Sequence, residues 1–183
     1  MKAYNRPVLA LLTAVLLAQT SVIAKVVEDT EYQFRADFPG APPDTTKEYK
    51  LEDFKGKDGR LSWRTYTSGS PASETASTYS ATVKVFETDT TDVKVLFAAG
   101  ESDAVQVVSL PLIGRADGTF GAEKLPSVTL TYQGGEGAPG GPTKGKVLLV
   151  AKGTRLYEVA FHFSGSDQTA VGEKFFRSFE ILK

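Results

Sequence analysis

The sequence predicts an α+β domain with a mostly antiparallel sheet and two main helices. Three observations lead there. Residues 31–38 and 155–163 alternate apolar and polar side chains with a period of two, as half-buried strands do. Residues 90–104 and 167–182 switch to helical spacing. The runs 146–152 and 155–163 meet at Lys152-Gly153-Thr154, a hairpin signal.

In chain order, Tyr32, Phe34, Ala36 and Phe38 share one face of the first strand. Pro39-Gly40-Ala41-Pro42-Pro43 ends it, because proline donates nothing to a ladder. Alternation resumes over 47–53 with Tyr49 and Leu51, and residues 55–59 form a charged turn. Residues 60–67 make a strand with Leu61 and Trp63 on one face; 68–77 read as a loop. Residues 79–86 turn Tyr79, Ala81, Val83 and Val85 inward. Asp89 and Asp92 offer caps for a helix over 90–104, with Val93, Leu96, Phe97 and Gly100 at helical spacing. Residues 105–112 read as a strand, 114–121 as a turn, 128–132 as a strand and 134–142 as a glycine-rich loop. Tyr157, Val159, Phe161 and Phe163 share a face of the last strand. The closing helix over 167–182 carries Val171, Phe175, Phe176 and Phe179 as its apolar stripe, weakened by Gly172.

The N-terminus predicts export. Lys2 and Arg6 precede a 12-residue apolar run from Pro7 to Ala18, and Val22-Ile23-Ala24 fits a signal-peptidase site. That run is short of the roughly 20 residues a spanning helix needs. Residues 1–24 are therefore expected to be a cleaved signal peptide, and 25–183 one domain, periplasmic or secreted, with no membrane span after cleavage. Residues 25–183 carry 19 basic and 22 acidic side chains, a net charge of −3. That argues against a nucleic-acid partner and against docking on anionic lipid through a basic patch. The chain has no cysteine, so burial must stabilise it without disulfides, and thiolate chemistry is excluded. With one histidine, His162, no site needing two imidazoles can form.

FRADFPGAPP, GTRLYEVAFHF and AVGEKFFRSFEIL together resemble a set of small exported bacterial domains, the PsbP/Mog1-like fold group. The resemblance implies an α/β/α sandwich with a central antiparallel sheet. It also implies a largely non-enzymatic, protein-binding role, and it transfers no catalytic residues.

Candidate sites are sparse. Residues 135–140 match GxGxxG, and 140–146 nearly match a phosphate loop, but a strand follows where a helix must start. A mobile hairpin loop is the expected reading of both. Asp89 and Asp92 lack the spacing of a calcium loop. Gly69-Ser70-Pro71 and Gly165-Ser166-Asp167 lack the nucleophile-elbow pattern. Glu158 and His162 share one face of the last strand, opposite the aromatic residues. Tyr66 lies on the other face from Trp63, so one of the two is expected at the surface, while Tyr79 reads as core. No catalytic, cofactor or metal residues are assigned. Tyr66, His162 and Glu158 are the expected recognition surface. The leading expectation is a non-enzymatic interaction or assembly module of the cell envelope, with another envelope or secreted protein as partner. The alternatives are a small-ligand carrier with a cleft beside the sheet, and a hydrolase using His162.

Overall fold

The structure, a computed structural model, describes residues 25–39, 45–50, 60–70, 77–87, 91–108, 110–134, 143–165 and 167–183. The expected signal segment 1–24, the charged turn 55–59 and residues 135–142 of the glycine-rich loop lie outside them. The elements are β1 (Lys25–Asp29), β2 (Phe34–Phe38), β3 (Thr45–Lys50), β4 (Arg60–Ser70), β5 (Ser77–Phe86) and α1 (Val93–Val108). They continue with β6 (Leu112–Phe120), β7 (Leu125–Gln133), β8 (Thr143–Lys152), β9 (Arg155–Ser164), α2 (Thr169–Ser178) and β10 (Glu180–Ile181). Among the described residues they form a seven-stranded sheet, β3-β4-β5-β9-β8-β7-β6, and a small sheet, β1-β2-β10. The pairings are antiparallel throughout. The fold is α+β, as expected.

The period of two sends alternate side chains of the large sheet into two cores. On one face, Tyr79, Ala81 and Val83 of β5 and Tyr157, Val159, Phe161 and Phe163 of β9 are buried. They meet β2 through Phe34, Ala36 and Phe38, and α2 through Phe175 and Phe176. On the other face, Leu156 and Ala160 join Val147, Leu149, Val128 and Leu130 beneath Leu96, Phe97 and Ala104 of α1. Asp92 caps α1: its Oδ1 accepts the Lys94 N–H at 2.9 Å. Asp89 lies outside the described residues.

Several elements depart from the sequence reading. The strand expected over 31–38 starts at Phe34, because residues 30–33 are a turn leading from β1. Gln33 has φ 58°, and Asp29 Oδ1 accepts the Tyr32 N–H at 2.9 Å, which closes the turn. Leu61 does not share a face with Trp63 in the plain alternation: the ladder slips between Arg60 and Ser62, and Leu61 is exposed. Part of the loop expected over 68–77 is strand, since β4 runs to Ser70 and β5 begins at Ser77.

Residues 105–108 continue α1 and are not a strand. The β preference of Val105, Val107 and Val108 is too weak to stop a helix already propagating. The turn expected over 114–121 is mostly strand β6, an edge strand with exposed side chains and therefore no burial alternation to read. α2 ends at Ser178, whose hydroxyl donates to the Phe175 carbonyl at 2.7 Å and accepts the Asp37 N–H at 2.9 Å. Phe179 is already extended, at φ −73° and ψ 129°, and leads into β10 on the edge of β2. It still fills the core, with ring centres 5.9 Å from Phe34, 5.7 Å from Phe120 and 6.0 Å from Tyr157.

Gly172 proves to be a packing residue rather than a weak point. A Cβ there would sit 2.5 Å from the Phe161 ring, so α2 reaches the sheet only without a side chain. Gly172→Ala is expected to destabilise by about 1–3 kcal/mol through overpacking, despite Ala being the better helix former by about 1 kcal/mol. Urea denaturation of the two proteins checks the sign.

Candidate functional site

α1 covers β7, β8 and β9 and leaves part of its own face of the sheet open over β4, β5 and β9. The floor there is built in cross-strand rows. Trp63, Lys84 and Leu156 form the first. Thr65, Thr82 and Glu158 form the second, Thr67, Ser80 and Ala160 the third. Gly69, Thr78 and His162 form the fourth. With Arg60 and Asp103 at the α1 wall, the non-glycine members other than Leu156 line a groove of about 390 Å³, a size ordinary for ligand sites. Thr65 and Thr82 share a hydrogen bond of 3.0 Å between hydroxyls. A larger cleft of about 540 Å³ lies beside Phe120, Leu125 and Ile181. Glu123, Lys152, Glu180 and Lys183 line it as well, and Glu123 and Lys152 bridge each other at 3.2 Å.

One end of the groove is a buried ion network. Lys84 Nζ donates to Glu158 Oε2 at 2.6 Å and to Asp103 Oδ2 at 2.7 Å, and Arg60 donates to the same Asp103 oxygen at 2.6 Å. Lys84 and Glu158 are both buried. Two cations and two carboxylates therefore neutralise one another.

His162 stands opposite Thr78 on β5 and Gly145 on β8. Among the described residues its ring makes no hydrogen bond, and burial pulls its pKa below the ordinary histidine value. Glu158 and His162 share the groove, as their parity on β9 predicts. They do not form a dyad. Four residues of strand separate their Cα atoms by about 13 Å, and Glu158 is already bound by Lys84. Thr78 is the cross-strand neighbour of His162, but among the described residues no carboxylate bonds to the ring as acid–base catalysis would need.

Tyr66 is not part of this surface. It faces the opposite side of the sheet, edge-on to Phe34 at 5.5 Å, and its hydroxyl donates to Asp29 Oδ2 at 2.9 Å. Burial and the Asp29 charge raise its pKa. The same carboxylate accepts Arg64 at 2.9 Å. Burial works to raise the Asp29 pKa, but the Tyr32, Arg64 and Tyr66 donors outweigh it and hold the pKa below the ordinary value. Trp63, not Tyr66, lines the groove. The hydroxyl residues were missed at the sequence level. Their signal is the polar parity of RTYT and STYSATVK, the half of each alternation that hydrophobic periodicity leaves out. Thr143–Lys146, the end of the near phosphate-loop match, is strand β8. Among the described residues no group of three or more acidic or histidine side chains is placed to hold a metal ion. Among them, too, no helix is long and apolar enough to cross a membrane.

Two outcomes follow from this electrostatics. Lys84→Met strands a buried Glu158 and is expected to cost about 3–5 kcal/mol. Glu158→Gln should cost less, because Lys84 keeps Asp103, and Lys84→Met/Glu158→Leu should recover most of the loss; chemical denaturation of the three variants ranks them. For His162 the folded pKa lies below the unfolded one, so its contribution is full above about pH 6.5 and is lost as pH falls toward the folded value. His162→Gln is expected to remove the loss of stability that sets in as pH falls below about 6.5, read from urea midpoints across the acid range.

No protein-family model matches the sequence, and no curated protein matches it. Solved structures do. The chain is similar to PA94 of Pseudomonas aeruginosa, a protein of unknown function, with TM-score 0.40 and 13% identity over 84% of this chain and 91% of that one. It is also similar to the Ran-binding protein Mog1p of Saccharomyces cerevisiae, with TM-score 0.43 and 13% identity over 89% of this chain and 97% of that one. Likeness this loose carries no functional argument.

Proposed function

We propose that the chain is an exported, non-enzymatic binding module of the cell envelope that engages its partner through the groove over β4, β5 and β9. One observation carries the reading: the floor is a row-by-row array of hydroxyls and a histidine left open beside α1, with its charges paired off. Such a surface offers donors and acceptors to a bound partner, and among the described residues it carries no activated nucleophile and no oriented base. Export, and with it a periplasmic or secreted location, is supported by the pattern of residues 1–24. The PsbP/Mog1-like resemblance and its α/β/α sandwich fit this reading, with one helix on each face of the large sheet. The groove also favours a second reading, a small-ligand carrier, because it is a cleft beside the sheet of ligand size. Native mass spectrometry separates the two: a stoichiometric small molecule on the purified protein supports the carrier.

Ser80 sits at the centre of the floor and is partly exposed. Ser80→Phe is expected to fill the groove and to cut retention of the partner from an envelope fraction by at least about tenfold. Ile113→Ser, on the remote edge strand β6, should leave retention unchanged. Full retention by Ser80→Phe removes the groove from the proposal.

A further inference from the structure

The groove's chemistry narrows what it binds. This step rests on the binding-module reading above. The two basic and two acidic side chains at one end are spent on each other, so an ionic ligand would enter without a counter-charge. The strands of the floor are interior to the sheet: β4 pairs with β3 and β5, β5 with β4 and β9, and β9 with β5 and β8. Their backbone groups are therefore committed, and an extended peptide cannot add to an edge there. A hydrocarbon ligand would bury Thr67, Thr78 and Ser80 hydroxyls without partners. Hydroxyls both donate and accept, and they repeat about every 6.7 Å along a strand and 4.8 Å across strands. That grid suits a ligand that is itself uncharged and studded with hydroxyls. The site is an open groove rather than an enclosed cavity, which suits a piece of a longer chain over a free monosaccharide.

We infer that the groove holds a short segment of an uncharged glycan chain, read by the hydroxyls of Thr67, Thr78 and Ser80 and by the His162 ring. The test is an amide chemical-shift titration of the purified protein with maltohexaose, cellohexaose, laminarihexaose and mannohexaose, beside glucose and an anionic oligogalacturonate. At least one neutral hexaose should move amides of β4, β5 and β9 around these residues. The Thr67→Val/Thr78→Val/Ser80→Ala variant keeps the shape of the floor and should bind that hexaose at least about tenfold more weakly, from up to three lost hydrogen bonds. Ser80→Ala alone guards against misfolding of the triple variant and should lose about two- to fivefold. The inference is overturned if no neutral hexaose moves those amides, if the hydroxyl-free variants bind as tightly, or if glucose or oligogalacturonate binds equally well. Should the glycans fail while Ser80→Phe still abolishes envelope retention, the groove remains a binding site for something else; unchanged retention sinks both readings.

Discussion

A lysine ammonium buried at the centre of a sheet has to be paired, and the pairing of Lys84 organises one whole side of this molecule. Its contacts with Glu158 and Asp103 join β5, β9 and α1, and Arg60 adds β4 through the same Asp103 oxygen. Desolvating those charges is costly, so the geometry has to be kept. Asp103 lies within one turn of Gly100, where a Cβ would come 2.8 Å from Leu156 and 3.0 Å from Leu149. α1 thus approaches the sheet closely beside the ion network. The apolar core on this face takes in both Leu156 and Ala160 of β9, and between them Glu158 carries the charge that pairs with Lys84. The same network that holds α1 in place marks the wall of the groove.

The opposite face is closed by a different polar clasp. Asp29 accepts from the Tyr32 backbone, from Arg64 and from Tyr66, and the Arg64 guanidinium lies 4.4 Å from the centre of the Tyr32 ring. These contacts tie the β1–β2 turn to β4. The aromatic cluster around Phe34, Phe38, Phe175 and Phe179 lies on the same face. With no cysteine in the chain, aromatic burial and this buried carboxylate take the place of a covalent staple.

What the sequence disclosed was whatever burial had written into it. β9 is buried on both sides at nearly every position, yet its aromatic and non-aromatic residues separate by parity, so both faces were readable. β6 is exposed along its length and was not, because an edge strand has no inside to encode. β10 is only two residues long, and pairing with β2 rather than any intrinsic preference makes it a strand. Phe179 fits the helical spacing of Phe175 and Phe176 but reaches the core from extended backbone, a distinction periodicity cannot make. The site was half legible for the same reason. The parity of Glu158 and His162 put them on one surface, whereas the fate of Tyr66 depended on Asp29, 37 residues away and on another strand, which no local pattern links to it.

The composition of the groove floor argues for recognition over plain solvation. A sheet face that only meets water commonly carries lysine and glutamate, which keep strands soluble and discourage further pairing. Here the charged residues turn toward one another, and the rest of the floor is threonine, serine, alanine, histidine and tryptophan. Threonine costs a strand nothing, since its branched side chain suits the pleat. The sheet can therefore hold a neutral hydroxyl surface at no loss of stability. Keeping α1 off this surface leaves its hydroxyls free of helix packing, which is what the proposed binding requires.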